Sequence, residues 1–316
     1  MSDDRWHSVG VDVGGTWTRV VAFEPSGGSI AESVSSPPPG ADALATHLAR
    51  EVAKIGSGRG RLRHVGVGVP GRVTADGVVS MALNVGIDEP VALADRLTAE
   101  LDVPVAVEND VNAAAVAALA ATGTGSSVTY LSIGTGFAAG SIVDGTILRG
   151  TTGVAGELGH VPIPGEPDEC VCGQTGCIEA IASGRALSEA AARIGLGAAP
   201  TAVDLWDAAD AGDSQAAAVR DRAVGALAWT AQVVVLALDV DHVVFGGGVS
   251  VLGERLLAPI RAVLAQREAA SPWLAAVGPS RRLSTAPPDT HLGAGGAGLA
   301  ARARFGPTSE EAAWKS

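Results

Sequence analysis

Apolar and polar positions along the chain fall into short blocks, and the period of each block names an element. Residues 8–13 are apolar and β-branched, and Thr18–Phe23 repeats the pattern, so two strands flank Asp12-Val13-Gly14-Gly15-Thr16-Trp17-Thr18. Residues 41–55 carry apolar positions at helical spacing, between the stiff connector Pro37-Pro38-Pro39-Gly40 and a glycine-rich stop at 56–60. A buried strand at 64–69 closes on Pro70-Gly71, and 74–77 reads as a turn. Asn84 falls in a loop ahead of a helix at 91–101. A strand at 103–107 then runs into Glu108-Asn109-Asp110, after which helical spacing holds over 111–121. These three polar residues therefore sit where a strand ends and a helix begins, the usual position of ligand groups in an α/β sheet. Capping the helix is the simpler use of Asn109 or Asp110, though three adjacent polar groups exceed what a cap needs.

The same devices return further on. A strand at 127–133 leads into the glycine turn Gly134-Thr135-Gly136-Phe137-Ala138-Ala139-Gly140, a strand at 141–143, the tight-turn signal Asp144-Gly145 and a return at 146–148. Helices are expected at 183–194, 201–211, 213–238 and 253–267, with a strand at 243–245 before Gly246-Gly247-Gly248. Small residues open a last helix at 292–300, and the tail from Pro307 is expected to fray. Val11-Asp12-Val13-Gly14-Gly15-Thr16 matches Leu131-Ser132-Ile133-Gly134-Thr135-Gly136, and residues 64–69 match 242–247. The chain thus reads as an α/β protein of two similar halves.

The repeat changes the weight of the glycine turns. Adjacent glycines expose backbone N–H groups in a concave turn that suits a phosphate, although a plain hairpin uses them too. No helix follows Gly14-Gly15-Thr16 directly, which excludes a P-loop and a Rossmann fingerprint. Two matching turns, one per half, imply a nucleotide lying between the halves. Gly246-Gly247-Gly248 serves either a flat ring or phosphate against the backbone, or close helix–strand packing.

Composition narrows the partners. At 316 residues, two domains are the natural expectation. The formal net charge of -12 supplies no basic surplus for phosphates, so no nucleic-acid partner is expected. The acidic start Met1-Ser2-Asp3-Asp4 leads straight into a strand, which argues against a signal peptide. The best apolar run, 233–238, is too short for a bilayer, so no membrane partner is expected.

All three cysteines, Cys170, Cys172 and Cys177, fall within eight positions, ten residues beyond His160. With no secretory signal, this clustering points to metal ligation in a reducing compartment rather than disulfides. The donor set is that of a Cys3His zinc site, and four protein ligands leave no open position, so the zinc is structural. Glu157 and Glu179 flank this loop, as solvated charges or as groups that hold a polar substrate.

The sequence resembles the ROK family of sugar kinases and related repressors, within the actin-like ATPase superfamily. The resemblance runs over nearly the whole chain. It rests on Asp12-Val-Gly-Gly-Thr16, Glu108-Asn109-Asp110, Gly134-Thr135-Gly136, Gly156-Glu157-Leu-Gly-His160, Cys170-Val-Cys172-Gly-Gln-Thr-Gly-Cys177-Ile-Glu179 and Gly246-Gly247-Gly248. It implies a duplicated α/β, ribonuclease H-like fold with two domains around a central cleft. The smaller domain is expected at 1–110, completed by a helix at about 294–316, and the larger, with the zinc loop, at 111–293. Family repressors carry an N-terminal helix-turn-helix domain, for which this chain has no room, so the kinase branch is expected.

The implied activity is ATP-dependent phosphorylation of a hexose hydroxyl in the cytoplasm by a homodimer. Asp110 is the implied general base. Asn84, Glu108, Asn109, Asp110, Glu157, His160 and Glu179 would bind the sugar. Gly14, Gly15, Thr16, Thr18, Gly134, Thr135 and Gly136 would meet the phosphates, Asp12 would hold Mg²⁺, and Gly247 and Gly248 would lie against the adenosine. Two departures stand out. Ala138-Ala139 replaces a longer glycine run and would narrow the second turn's freedom, favouring a sugar-sensing protein with little turnover. The loop 81–87 lacks the aromatic residue common in glucokinases, which keeps an aminosugar or a sugar-like cyclitol open as substrate.

Overall fold

The computed structural model describes residues 6–287 and 291–306. The expected tail from Pro307, and the end of the helix expected to reach 316, lie outside the described residues. The chain separates into two compact units. One holds the chain up to Ala120, Arg149–Ala155 and the C-terminal helix; the other holds Ala121–Leu148 and the long segment that begins at Gly156. The division thus departs from 110/111, because helix 110–122 and the segment after Leu148 pack with the first unit.

In the first unit, β1 (Trp6–Val13), β2 (Thr18–Phe23) and β3 (Ser29–Ser35) form an antiparallel meander. After α1 (Ala41–Gly56), β4 (Arg61–Val69) pairs parallel to β1. A small sheet of β5 (Arg72–Val73), β6 (Val78–Ser80) and β7 (Val91–Ala92) precedes α2 (Leu93–Leu101). Then β8 (Val105–Asn109) pairs parallel to β4 and feeds α3 (Asp110–Thr122). The strand order is β3-β2-β1-β4-β8. Leu44, Leu48, Val52 and Ile55 give α1 a buried stripe at steps of four, four and three residues, packed with Val9, Val11 and Val67 of the sheet.

The second unit repeats this plan. β9 (Val128–Ile133), β10 (Phe137–Val143) and β11 (Thr146–Ile147) are antiparallel. A helical stretch comes next: α4 (Ile178–Ala182), α5 (Gly184–Arg193), α6 (Ala202–Asp210) and α7 (Ser214–Leu238). β12 (His242–Gly246) pairs parallel to β9, and after α8 (Glu254–Ala269) and α9 (Pro272–Val277), β13 (Leu283–Thr285) pairs parallel to β12. The order β11-β10-β9-β12-β13 reproduces the first sheet's connectivity. Trp206 of α6 fills this core and donates its indole N–H to the Arg255 carbonyl at 3.1 Å.

Two sequence expectations change here. β10 begins at Phe137, not at 141, so Ala138 and Ala139 are ladder residues opposite Ser132 and Leu131. Both alanines lie in the ladder beyond the glycine turn, which ends at Gly136, so they take no freedom from it. And α7, at 25 residues, is long and apolar enough by composition to cross a membrane, contrary to the short run expected. It packs against α4, α6 and α8, and Ala223, Leu227, Ala231 and Val235 form its buried stripe, so a core helix accounts for its apolarity.

The C-terminal helix, α10 (Leu292–Phe305), returns to the first unit and lies on β1 and β4. The approach is backbone to backbone. A Cβ on Gly10 would stand 1.9 Å from the Ala294 carbonyl oxygen, and one on Gly66 would stand 1.8 Å from that of Ala297. Small residues on both partners are therefore a packing requirement.

Candidate active site

The first unit gathers its polar groups where β1, β4 and β8 end. Asp12, next to last in strand β1, is half-buried. Burial, then the negative charge of Asp110, push its carboxyl up to about 7, with Arg19 opposing. Two acids that repel one another in a buried setting form a donor set that a divalent cation would relieve, and Asp12 suits hard Mg²⁺.

Asn109 is the cap of α3. Its Oδ1 accepts from the backbone N–H of Val111 and Asn112, each at 3.0 Å, and its Nδ2 donates to the Gly71 carbonyl at 3.1 Å. Asp110 is the first residue of α3. Its Oδ1 accepts from Val111 N–H at 2.9 Å. Glu108 is buried and saturated. Oε1 accepts from Asn109 N–H at 3.0 Å and from Asn112 Nδ2 at 3.1 Å, while Oε2 accepts from Arg149 Nε at 2.9 Å and from Arg149 Nη2. A carboxylate has about four acceptor positions, so the structure gives Glu108 a supporting place, not the sugar contact expected of it.

The first glycine turn is closed by Gly14 N–H donating to the Trp17 carbonyl at 2.8 Å, and leaves Gly15 and Thr16 exposed. Asn84 lies against it, its Cβ 3.3 Å from where a Gly15 Cβ would stand. Thr18 departs from expectation. It is fully buried on β2, with its hydroxyl lacking a protein partner, and is not displayed to a phosphate.

In the second unit, Gly134 N–H donates to the Gly136 carbonyl at 3.1 Å, and the Gly134 carbonyl accepts from Gly184 N–H at 2.7 Å, at the start of α5. Thr135 is exposed at the apex. Glu179 is buried behind this turn. Its Oε2 accepts from Phe137 N–H at 2.9 Å and its Oε1 lies 3.4 Å from Arg185 Nη2. A Cβ on Gly136 would come within 2.7 Å of Glu179 Oε2, so that glycine makes room for the carboxylate. Gly247 and Gly248 are exposed after β12. Gly247 has φ 78°, and a Cβ there would meet the Ile133 carbonyl oxygen at 2.5 Å.

His160, Cys170, Cys172 and Cys177 come together, their donor atoms all within 4.8 Å of one another. His160 Nδ1 is 3.7 Å from Cys170 Sγ, and Cys172 Sγ is 3.7 Å from Cys177 Sγ. Sulfurs on a zinc tetrahedron with 2.3 Å bonds stand about 3.8 Å apart, so these spacings fit that ion. Hydrogen bonding from Gln174 brings the Cys172 thiol down to about 6, while burial pushes Cys177 up to about 12. With Nδ1 turned to the cysteines, His160 Nε2 faces outward, 3.9 Å from Glu157 Oε2.

Arg149 escaped sequence reading. Its signal was indirect: Glu108 ends a strand of buried apolar residues, and a buried carboxylate calls for a cation.

Duplicated five-stranded sheets of this order, each with a glycine turn after its first strand, define the actin-like ATPase fold. Residues 8–303 match the model of the ROK family, and the chain belongs to that family. It is 35% identical over 283 residues to a glucokinase of Halalkalibacterium halodurans, covering 82% of this chain and 84% of that one. An N-acetylmannosamine kinase of Vibrio cholerae is 29% identical over 246 residues, covering 77% and 84%. The crystal structure of a ROK family glucokinase from Streptomyces griseus in complex with glucose and AMPPNP superposes with a TM-score of 0.71 at 29% identity, covering 94% of this chain and 99% of that one.

Proposed function

We propose that this protein is an ATP-dependent sugar kinase that phosphorylates a hydroxyl of a hexose, glucose or a close analogue, with Asp110 as general base. The observation that carries the reading is Asp110 itself: a carboxylate at the head of α3, next to the capping Asn109 and electrostatically linked to Asp12. In the transfer, Asp110 takes the proton of the attacking hydroxyl, the sugar oxygen forms the new bond to the γ-phosphorus, and the bond to ADP breaks. The N–H groups of the turns at Gly14–Thr16 and Gly134–Gly136 hold phosphate oxygens, and Gly247 and Gly248 leave room for the adenosine. Asp12 would hold Mg²⁺, which when bound would neutralise phosphate charge. Asn84, Asn109, Glu157 and the outer nitrogen of His160 bind sugar hydroxyls. His160, Cys170, Cys172 and Cys177 hold a structural zinc that fixes the loop carrying Glu157.

The relatives named as glucokinase and the glucose-bound neighbour favour a hexose. An aminosugar is the second reading, supported by the N-acetylmannosamine kinase relatives and by the exposed Met81 and Leu83, which flank Asn84's loop with apolar surface in place of an aromatic ring. A cyclitol belongs to the same test. We carry the homodimer and a reducing, cytoplasmic setting as parts of this proposal; light scattering checks the first. ATP consumption against a panel of hexoses, aminosugars and cyclitols tests the activity, and tight sugar binding without transfer to any of them would leave a sensor instead. Asp110→Asn is expected to lower kcat by about 10²- to 10⁴-fold while sugar binding survives.

A further inference from the structure

The segment Arg149–Ala155 is the only stretch between β11 and the zinc loop that packs with the first unit. Its anchor is the pair of donors that Arg149 places on Glu108 Oε2. Glu108 is buried at the end of Val105-Ala106-Val107, so Arg149 is the cation that makes its charge tolerable there. The other Glu108 oxygen holds two groups of the residues after it, Asn109 N–H and the Asn112 side-chain amide. Behind Arg149 the segment is closed on itself by Ala155 N–H donating to the Arg149 carbonyl at 3.3 Å. It rests on β5 through Gly153, where a Cβ would stand 3.3 Å from the Val73 carbonyl oxygen. One ion pair therefore links a chain segment remote in sequence to Asn109, just before Asp110, and to Asn112, on the first turn of α3.

We propose that Arg149 is a positioning residue for the transfer: it clamps Glu108, which through Asn109 and Asn112 fixes the first turn of α3 and so the aim of Asp110. This rests on the reading of Asp110 as the base. Without the guanidinium, Glu108 carries an uncompensated buried charge and turns toward water, and the two hydrogen bonds that square the helix start are released. A base misplaced by about 1 Å costs on the order of 10²-fold in rate.

The test is steady-state kinetics of Arg149→Met, Arg149→Lys, Glu108→Gln and the double variant Glu108→Gln/Arg149→Met, with ATP and the best acceptor of the panel. Arg149→Met is expected to lower kcat about 10- to 100-fold with the acceptor KM within about threefold. Arg149→Lys should restore part of kcat, because a cation returns to Glu108. The double variant should lose no more than the weaker single variant, because both break one clamp; lacking both charges, it also stays folded if Arg149→Met does not. Wild-type kcat in Arg149→Met, a loss carried by KM alone, or losses that multiply in the double variant would each overturn the proposal. Asp110→Asn, measured alongside, separates the two readings: turnover retained there removes the base, whatever Arg149 does.

Discussion

Asp12 rests directly on the backbone of Gly293: a Cβ at that glycine would stand 2.2 Å from Asp12 Oδ2 and 2.3 Å from its carboxyl carbon. Asp12 is half-buried, and α10 closes it off on the Gly293 side. Gly293→Ala is therefore expected to displace the carboxylate or lift α10. Turnover should fall by about tenfold or more, with a lower thermal midpoint. Steady-state kinetics and thermal unfolding check this, and a variant indistinguishable from the parent in both would show the contact to be soft.

The raised carboxyl of Asp12 sets a second expectation. Its pKa of about 7 reflects burial and Asp110, both of which favour the neutral acid, whereas a bound cation needs the ionised form. As pH falls through 7, a growing share of the protein must lose a proton before Mg²⁺ binds. The Mg²⁺ concentration for half-maximal activity should rise from pH 8 to pH 6, approaching about tenfold per unit on the acid side. A flat Mg²⁺ requirement over that range would remove Asp12 as the ligand.

Zinc content offers a third check. Metal analysis of protein purified without chelators should give about one zinc per chain, falling well below one in Cys172→Ser. The loss of a structural metal should lower the thermal midpoint by about 5–10 °C. Parent protein free of zinc would end the assignment.

Acid stability depends on two histidines. His47 accepts from Arg50 Nη2 at Nδ1 and faces Ser35 Oγ through Nε2, each at 3.0 Å, and burial holds its pKa below 6.5, with Arg50 adding and Glu51 opposing. His7, buried on β1, is lowered chiefly by the same cause. A base whose folded pKa is depressed binds its proton more readily when unfolded. Its contribution is present above 6.5 and is lost as pH falls through 6.5 toward the folded value. The thermal midpoint should drop between pH 7 and 5.5, and His47→Gln should flatten part of that slope; an identical slope in the variant would exclude His47.

Sequence reading reached the duplicated plan because its signals are local: β-branched blocks, paired glycine turns and the cysteine spacing each mark an element without reference to the rest. It missed β3, whose Ser29–Ser35 alternates half-buried with exposed positions at a sheet edge, so no apolar block announces it. It drew the turn after Gly136 too long, because Phe137-Ala138-Ala139-Gly140 is small and flexible as sequence and becomes a strand only opposite β9. The candidate site was legible as a set of residue types and not as partnerships. Nothing near Glu108 or Glu179 in sequence reveals that each carboxylate is occupied, one by Arg149 and Asn112, the other by Phe137 and Arg185.

The equal strand order of the two sheets makes one chemical difference between them legible. Asp12 lies opposite Arg19 and Gly68; in the other sheet the same register position, opposite Ala138 and Gly246, is Ser132. An acid stands in one copy and a neutral hydroxyl in the other. The repeat is thus symmetric in its strand order and unequal in charge at this one position.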